Sequence, residues 1–241
     1  MKAFSFFVFL FILLQSCDDP VHITSSKSQI LEAGWLFSKE GDKEFYKAEV
    51  PGLIHLDLLK NDLIEDPYLN NNEHKLQWIE KENWEYLGKF NIEKSVFQNT
   101  HIEMQFDGLD TYANVYINGR HILEADNMFR IWNVEVKDLL KQGENELKIT
   151  FDSPIEFNKS KVKASSYQLP SGNESSDIET KVSAYTRKAS YQFGWDWGPR
   201  FVSAGIWRPI KINTWNKARI NDAGYSQDIF HPLSFIGAGR W

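Results

Sequence analysis

The residues best suited to chemistry lie in one short aromatic cluster late in the sequence. Trp195 and Trp197 flank Asp196, and a glycine stands on either side of the trio. An indole face can stack on the apolar C–H face of a sugar ring, and a carboxylate accepts strong hydrogen bonds from neighbouring hydroxyls. The cluster therefore predicts a sugar-binding loop in which Trp195, Asp196 and Trp197 contact the substrate.

The same cluster also allows a purely structural interpretation. In a regular strand the two tryptophans would point one way and Asp196 the other, so all three converge only in a loop, which the bracketing glycines favour. In the alternative, both tryptophans fill the core and Asp196 pairs with Arg200. The chemistry of the cluster leaves both interpretations open.

Two further candidates for catalysis have less support from their surroundings. A retaining glycosidase needs two carboxyl groups about 5–5.5 Å apart. Glu73 follows three asparagines at 70–72, which predicts a solvated polar turn, and no carboxylate at a strand end stands out as its partner. His55 follows a Pro-Gly pair, where a core or capping histidine is favoured over a catalytic one. We therefore predict no catalytic residue in this sequence.

Composition excludes several classes of function. Of the 241 residues, 42% are hydrophobic and 25% are charged, which is typical of a globular protein. The net charge of −6 argues against a general nucleic-acid binder, which needs clustered basic residues. The single cysteine excludes an internal disulfide and a cysteine-based zinc site, and the six histidines are scattered. We expect neither a metal nor another cofactor.

The N-terminus predicts export. An apolar run at 3–14 is too short to span a bilayer, which takes about 20 residues, but it suits a secretory signal. The following Leu-Gln-Ser-Cys resembles the bacterial lipoprotein signal, and the alternative is an ordinary signal peptide with a chance cysteine. We expect a signal peptide at 1–16, lipidation of Cys17 and a linker at 17–27. The protein would then be an exported lipoprotein in the periplasm or at the cell surface, which contacts the membrane only through its lipid.

The body of the sequence has the pattern of short strands. Between 84 and 151 there are several runs in which apolar residues recur at every second position, for example 102–106. Turn residues separate these runs. The Asn-Gly pair at 118–119 is a strong signal for a two-residue hairpin turn. With a last strand over 206–212, the pattern predicts an all-β, antiparallel sandwich.

Two stretches depart from the strand pattern. A Pro-Gly pair at 51–52 precedes a predicted short helix at 53–60. Residues 152–186 are polar and rich in Ser, Lys and Glu, which predicts a long loop, and a helical turn is expected within 183–190.

An ordered set of motifs resembles the β-mannosidases of glycoside hydrolase family 2. Three segments resemble the sugar-binding domain of that family: Phe-Asp-Gly-Leu-Asp-Thr at 106–111, Val-Tyr-Ile-Asn-Gly at 115–119 and the segment 139–147. The β-mannosidase branch is resembled by Val-Pro-Gly-Leu-Ile-His at 50–55, Arg-Lys at 187–188, Phe-Gly-Trp-Asp-Trp-Gly-Pro-Arg at 193–200 and Gly-Ile-Trp at 205–207. The resemblance extends over about 30–222.

The resemblance implies a jelly-roll β-sandwich of the galactose-binding-like type at 28–215. In this family the sandwich precedes an immunoglobulin-like domain and a (β/α)₈ barrel that carries both catalytic glutamates. The resemblance further implies that Asp196 accepts hydrogen bonds from a terminal mannose at the mouth of the barrel. Trp195 or Trp197 would form a wall of the pocket that holds this mannose, and residues 152–190 would help to frame that pocket. The implied partners are β-mannoside oligosaccharides and the barrel of the parent enzyme.

The resemblance ends near 222, and 223–241 is a weakly patterned tail. We therefore expect the N-terminal piece of a β-mannosidase, with 216–241 as the truncated start of a following domain or an aberrant tail. The parent would hydrolyse terminal non-reducing β-D-mannose residues, whereas this chain, without the barrel, is expected to be inactive. The alternatives are a free-standing carbohydrate-binding lipoprotein and a fragment of an exo-β-glucosaminidase. That last branch shares Gly-Trp-Asp-Trp, but Gly-Pro-Arg at 198–200 favours the mannosidase.

Overall fold

The computed structural model describes residues 26–167, 169–172, 174 and 181–226. The predicted signal peptide and the lipidation site Cys17 lie outside these residues, as does the end of the tail beyond 226.

The described residues form two antiparallel sheets. Their strands are β1 (Lys27–Ile30), β2 (Gly34–Lys39), β3 (Tyr46–Lys47), β4 (Trp84–Ile92), β5 (His101–Phe106), β6 (Tyr112–Ile117), β7 (Arg120–Ala125), β8 (Trp132–Glu135), β9 (Gly143–Asp152) and β10 (Ile210–Trp215). One sheet has the order β1-β10-β5-β8, and the other has the order β3-β2-β4-β9-β6-β7. The prediction of a mainly β, antiparallel architecture is confirmed.

The predicted hairpin turn joins β6 and β7. Asn118 has φ 49° and Gly119 has φ 80°, and both are the left-handed conformations that a type I′ turn requires. The Asn118 side chain also donates a hydrogen bond to the Leu139 carbonyl oxygen at 2.8 Å. The Asn118 side chain also bonds to Asn145 and to the Glu146 amide, so the turn is fixed by its two central residues and by these side-chain contacts.

The inward faces of the two sheets share one hydrophobic core. Ile102, Met104 and Phe106 of β5 are fully buried, and Val115 of β6 and Ile149 of β9 are buried in the same cluster. These residues are the apolar members of the period-two pattern. Their burial, at about 25 cal/mol per Å² of apolar surface, is the main term that holds the sandwich together.

The helices are short and lie outside the sheets. They are α1 (Ile54–Lys60), α2 (Asn72–Lys75), α3 (Lys94–Phe97) and α4 (Pro154–Ala164), with 3₁₀ turns at Ile79–Lys81, Lys137–Leu139, Ser183–Tyr185 and Ser190–Phe193. Helix α1 confirms the helix predicted at 53–60. Within the described part of the chain, none of these helices has the length and hydropathy needed to cross a membrane.

The prediction of a continuous loop over 152–186 was wrong, because α4 occupies its first part. The Ser153 hydroxyl oxygen accepts a hydrogen bond from the Glu156 amide as the N-cap, and Pro154 follows in the first turn. Asn158 is fully buried and donates to the Tyr112 hydroxyl at 2.8 Å. The helix thus depends on a cap and a tertiary polar contact, neither of which produces an apolar periodicity.

The last strand begins later than predicted, at Ile210 rather than at 206. Before it, Gly205 forms an isolated bridge with Asp110, and the Pro209 carbonyl accepts a hydrogen bond from the Asp107 amide at 3.1 Å. Residues 206–209 therefore precede the ladder of β10.

Gly88 in the middle of β4 provides a test of the core packing. A Cβ atom there would lie 2.8 Å from the indole of Trp35, which is buried. We expect Gly88→Ala to lower the free energy of unfolding by about 1–3 kcal/mol, the usual cost of overpacking, as measured by urea denaturation. Gly34→Ala on the adjacent strand is the control, because its Cβ meets nothing within 4 Å. Equal stability of the two variants would contradict this packing.

Candidate functional site

The Trp-Asp-Trp trio stands in a tight surface loop. The loop closes on itself, since the Trp195 amide donates to the Gly198 carbonyl at 3.2 Å and the Gly198 amide donates back to the Trp195 carbonyl at 3.3 Å. Trp195 is 46% exposed and Trp197 is 84% exposed, and Asp196 is also exposed. The two indoles form a T-shaped pair with centroids 5.9 Å apart. All three predicted residues therefore meet at the surface, and the alternative with both tryptophans in the core is wrong.

Arg200 anchors the end of this loop inside the protein. Its guanidinium forms two hydrogen bonds with the Glu80 carboxylate, at 2.9 and 3.1 Å, and a longer contact of 3.4 Å with Glu174. All three side chains are buried. Burial raises the pKa of Glu80, and the hydrogen bonds from Arg200 oppose that rise. Arg200 is thus committed to Glu80 and Glu174, whereas the alternative had paired it with Asp196.

Glu73 adds a second contact to the same end of the loop. Its Oε1 accepts a hydrogen bond from the Arg200 backbone amide at 2.7 Å, and the preceding Asn72 is buried. Asn72 donates to the Asp66 carbonyl at 2.9 Å. The prediction of a solvated polar turn was therefore wrong, since these residues begin α2 and hold the loop in place.

Lys188 anchors the segment that leads into the loop. Its Nζ lies 2.5 Å from Asp110 Oδ1 and donates to the Ser203 carbonyl at 2.6 Å, and both charged side chains are fully buried. Gln192 completes the network: its amide nitrogen donates to Asp110 Oδ2 at 3.0 Å, and its amide oxygen accepts from the Ser203 backbone amide at 3.0 Å. Burial lowers the pKa of Lys188, and Asp110 opposes that change. The sequence indicated Asp110 and Lys188 only as members of motifs.

A cavity of about 640 Å³ lies between this loop and helix α1. The loop contributes Trp195 and Trp197, and the helix contributes Leu56 and Leu59. Tyr68, which is 78% exposed, also lines it and packs edge-on against Phe201. The lining is mainly apolar, so the cavity suits a ligand with an apolar face and a few hydroxyl groups.

His55, for which the sequence favoured a core or capping role, lies in the site. It lines the cavity, its Nδ1 lies 3.0 Å from the Ser203 hydroxyl oxygen, and its ring packs against Phe201. Burial and, to a smaller extent, the charge of Lys188 lower its pKa to about 4. The histidine is therefore neutral at pH 7, and it is half-buried on the wall of the cavity. Its position after Pro-Gly, at the start of a helix, was the available signal.

The described residues hold no group of three or more His, Cys, Asp and Glu side chains arranged to bind a metal ion. The charged side chains near the loop are paired with one another, and Asp196 is exposed. The chemistry that this arrangement supports is hydrogen bonding and stacking on a neutral polar ligand.

Comparisons with known proteins agree with the motifs. Residues 35–208 match the family model described as the glycosyl hydrolase 2 galactose-binding domain-like family. The chain is 32% identical to a β-mannosidase from Mus musculus over 203 residues, which is 83% of this chain and 23% of that protein. It is 37% identical to β-mannosidase B from Thermothelomyces thermophilus over 196 residues, covering 80% of this chain and 22% of that protein.

A solved structure gives the same result for the fold. The crystal structure of β-D-mannosidase from Dictyoglomus thermophilum superimposes with a TM-score of 0.75 at 43% identity, covering 81% of this chain and 23% of that one. The chain thus spans less than a quarter of the length of these relatives. The matches confirm the family resemblance indicated by the motifs.

The Asp110–Lys188 pair can be tested by removing its cation. Lys188→Met leaves a buried carboxylate without its charge partner, so we expect the free energy of unfolding to fall by about 3–5 kcal/mol in urea denaturation. Lys89→Met removes an exposed partner of Glu144 and should cost less than about 1 kcal/mol. The double variant Asp110→Asn/Lys188→Met should cost less than the sum of its two single variants. Similar losses for Lys188→Met and Lys89→Met would contradict the anchoring role.

The low pKa of His55 predicts a pH-dependent contribution to stability. The pKa of His55 is 6.5 in the unfolded chain and about 4 in the folded one. At a pH between these two values, the unfolded chain binds a proton that the folded chain does not. The folded state therefore loses stability as the pH falls through this window. We expect the difference in unfolding free energy between the wild type and His55→Gln to fall by up to about 3 kcal/mol from pH 7 to pH 4, as measured by urea denaturation at each pH. A constant difference would contradict a half-buried ring that stays neutral in the folded state.

Proposed function

The chain belongs to the galactose-binding-like domains of glycosyl hydrolase family 2, and from that premise we propose that it is the substrate-framing N-terminal domain of a β-mannosidase. The parent enzyme would release terminal, non-reducing β-D-mannose residues. Support comes from the identity of 43% to a β-D-mannosidase of known structure and from the mannosidases among the relatives.

The exposed Trp-Asp-Trp loop is the observation that carries this proposal. Two indoles with 46% and 84% of their surface exposed are costly to leave in water unless a ligand or partner covers them. In the proposed complex, Trp195 or Trp197 stacks on the apolar face of the mannose ring. Asp196, which is exposed between them, accepts hydrogen bonds from two adjacent hydroxyls.

Hydrolysis itself is assigned to the rest of the parent enzyme. Retaining cleavage of a glycoside needs an acid/base carboxyl and a nucleophilic carboxylate about 5–5.5 Å apart. The buried carboxylates Glu80, Glu174 and Asp110 are committed to Arg200 and Lys188. We propose that both catalytic groups lie in the barrel and that this domain contributes only binding and orientation.

We further propose a jelly-roll domain at 28–215, preceded by a signal peptide at 1–16 and a linker at 17–27, with residues beyond 215 starting a following domain. Lipidation at Cys17 would anchor the exported protein in the periplasm or at the cell surface. The apolar run at 3–14 and the Leu-Gln-Ser-Cys that follows it support the signal peptide and the lipidation.

Mannoside binding by the 241-residue chain tests the proposal. We expect methyl β-D-mannopyranoside to shift the indole N–H resonances of Trp195 and Trp197 in NMR spectra, with a Kd of roughly 1–10 mM, as is reasonable for a monosaccharide on half of a site. Asp196→Asn should weaken binding about tenfold, because a charge-assisted hydrogen bond is lost. Trp78→Ala is the control, since Trp78 is 40% exposed away from this cavity.

The same chain is expected to hydrolyse an aryl β-mannoside no faster than a blank. Tighter binding of glucosamine oligomers than of mannosides would favour a glucosaminidase parent. Equal binding by wild type and Asp196→Asn would contradict the assigned role of the loop.

A further inference from the structure

His55 stands on the wall of the cavity that faces the Trp-Asp-Trp loop. It lies in the first turn of α1, and Asp57 fixes that helix to the sandwich. The Asp57 carboxylate accepts hydrogen bonds from the Glu49 backbone amide at 2.8 Å and from the Tyr86 hydroxyl at 2.9 Å. The imidazole therefore projects from a rigid element, which is the arrangement that a precise binding site requires.

The inner side of the imidazole is held by the same network that anchors the loop. His55 Nδ1 lies 3.0 Å from the Ser203 hydroxyl. The Ser203 backbone is itself fixed on both sides, by Gln192 at its amide and by Lys188 at its carbonyl. Turning the ring would break the contact with Ser203, so its orientation is set before any ligand arrives.

The outer nitrogen of the ring is available to a ligand. In the described part of the chain, His55 Nε2 makes no hydrogen bond. Four polar side-chain atoms there are fully buried without a partner, and Nε2 is not one of them. Nε2 is therefore accessible, and the residue that carries it lines the cavity. The neighbouring polar groups are already used, because Gln192 bonds to Asp110 and Ser203, and the Ser203 hydroxyl contacts His55 itself.

The ring is also in the right charge state for a neutral ligand. Burial, together with the charge of Lys188, lowers the pKa of His55 to about 4, so the imidazole is neutral at pH 7. Each nitrogen of a neutral imidazole either donates or accepts one hydrogen bond. A sugar hydroxyl can take the complementary role in both cases.

We propose that His55 determines specificity by hydrogen-bonding, through Nε2, one hydroxyl of the sugar ring that Trp195 and Trp197 hold. The inference rests on the proposed function, because it takes the ligand to be a β-mannoside. A fixed polar atom in a mainly apolar wall favours the ring isomer that places a hydroxyl against it, since an isomer without that hydroxyl leaves the nitrogen unpaired.

The test follows both sides of the cavity in one NMR titration of the 241-residue chain at pH 7. Methyl β-D-mannopyranoside is the ligand, and methyl β-D-glucopyranoside is the isomer control. We expect the His55 Cε1–H and Nε2 resonances to shift with the same Kd as the indoles of Trp195 and Trp197. The glucoside should produce smaller shifts at His55.

Two variants separate hydrogen bonding from packing. His55→Gln keeps a polar group and should bind the mannoside within about threefold of the wild type. His55→Phe keeps the ring but not the nitrogen and should bind about tenfold more weakly, the upper range for one lost hydrogen bond. Unchanged indole resonances in the free variants show that the loop is intact. If His55→Phe does not fold, the shifts of the wild-type His55 resonances and the Kd of His55→Gln test the proposal instead.

The outcomes separate this inference from the function on which it rests. The role of His55 would be overturned if the indole resonances shift while those of His55 do not, or if wild type and His55→Phe have equal Kd values. Either result would leave the mannoside site in place. No shift at the indoles or at His55 would overturn both. Concerted shifts with the expected order of the variants would support both.

Discussion

Two buried cations and their acidic partners hold the aromatic loop, and the rest of the site depends on them. Lys188 pairs with Asp110 before the loop, and Arg200 pairs with Glu80 and Glu174 after it. Charges inside a protein are stable only when they are paired and hydrogen-bonded, so both ends of the loop are tied to particular places on the sandwich. A buried tryptophan would gain roughly 4–6 kcal/mol from 150–250 Å² of surface at 25 cal/mol per Å². The anchors keep Trp197 in solvent despite that gain.

The anchors converge because three segments between the regular elements are hydrogen-bonded to one another. Gly205 exchanges backbone hydrogen bonds with Asp110, at 2.9 and 3.0 Å, and Gly52 donates to the Ile206 carbonyl at 2.9 Å. Gly205 has φ 149°, and a Cβ there would lie 2.7 Å from the Gly52 carbonyl oxygen. Only glycine fits such a close approach. Motifs that are far apart in the sequence, such as those that contain Gly52 and Gly205, thus meet in one site.

Local signals predicted the strands, the hairpin at 118–119 and the trio at 195–197. Each depends on neighbours in the sequence, through alternation of apolar residues or through turn chemistry. The contacts that hold the site were not predictable in this way, because Glu80 and Arg200 are 120 positions apart. Taken alone, an acidic residue in a polar stretch indicates solvent exposure, which is why Glu73 was misassigned. The orientation of His55 was not predictable for the same reason, since it depends on Ser203, which is 148 positions away.

The crystal structure of the 241-residue chain with methyl β-D-mannopyranoside tests the central claim most directly. The anchored loop should hold the sugar in the cavity beside α1, with its apolar face on Trp195 or Trp197 and its hydroxyls within hydrogen-bonding distance of Asp196. Lys188 and Arg200 should keep their buried partners in that complex. Sugar bound elsewhere on the sandwich, or a loop whose tryptophans turn into the core while Asp196 pairs with Arg200, would contradict it.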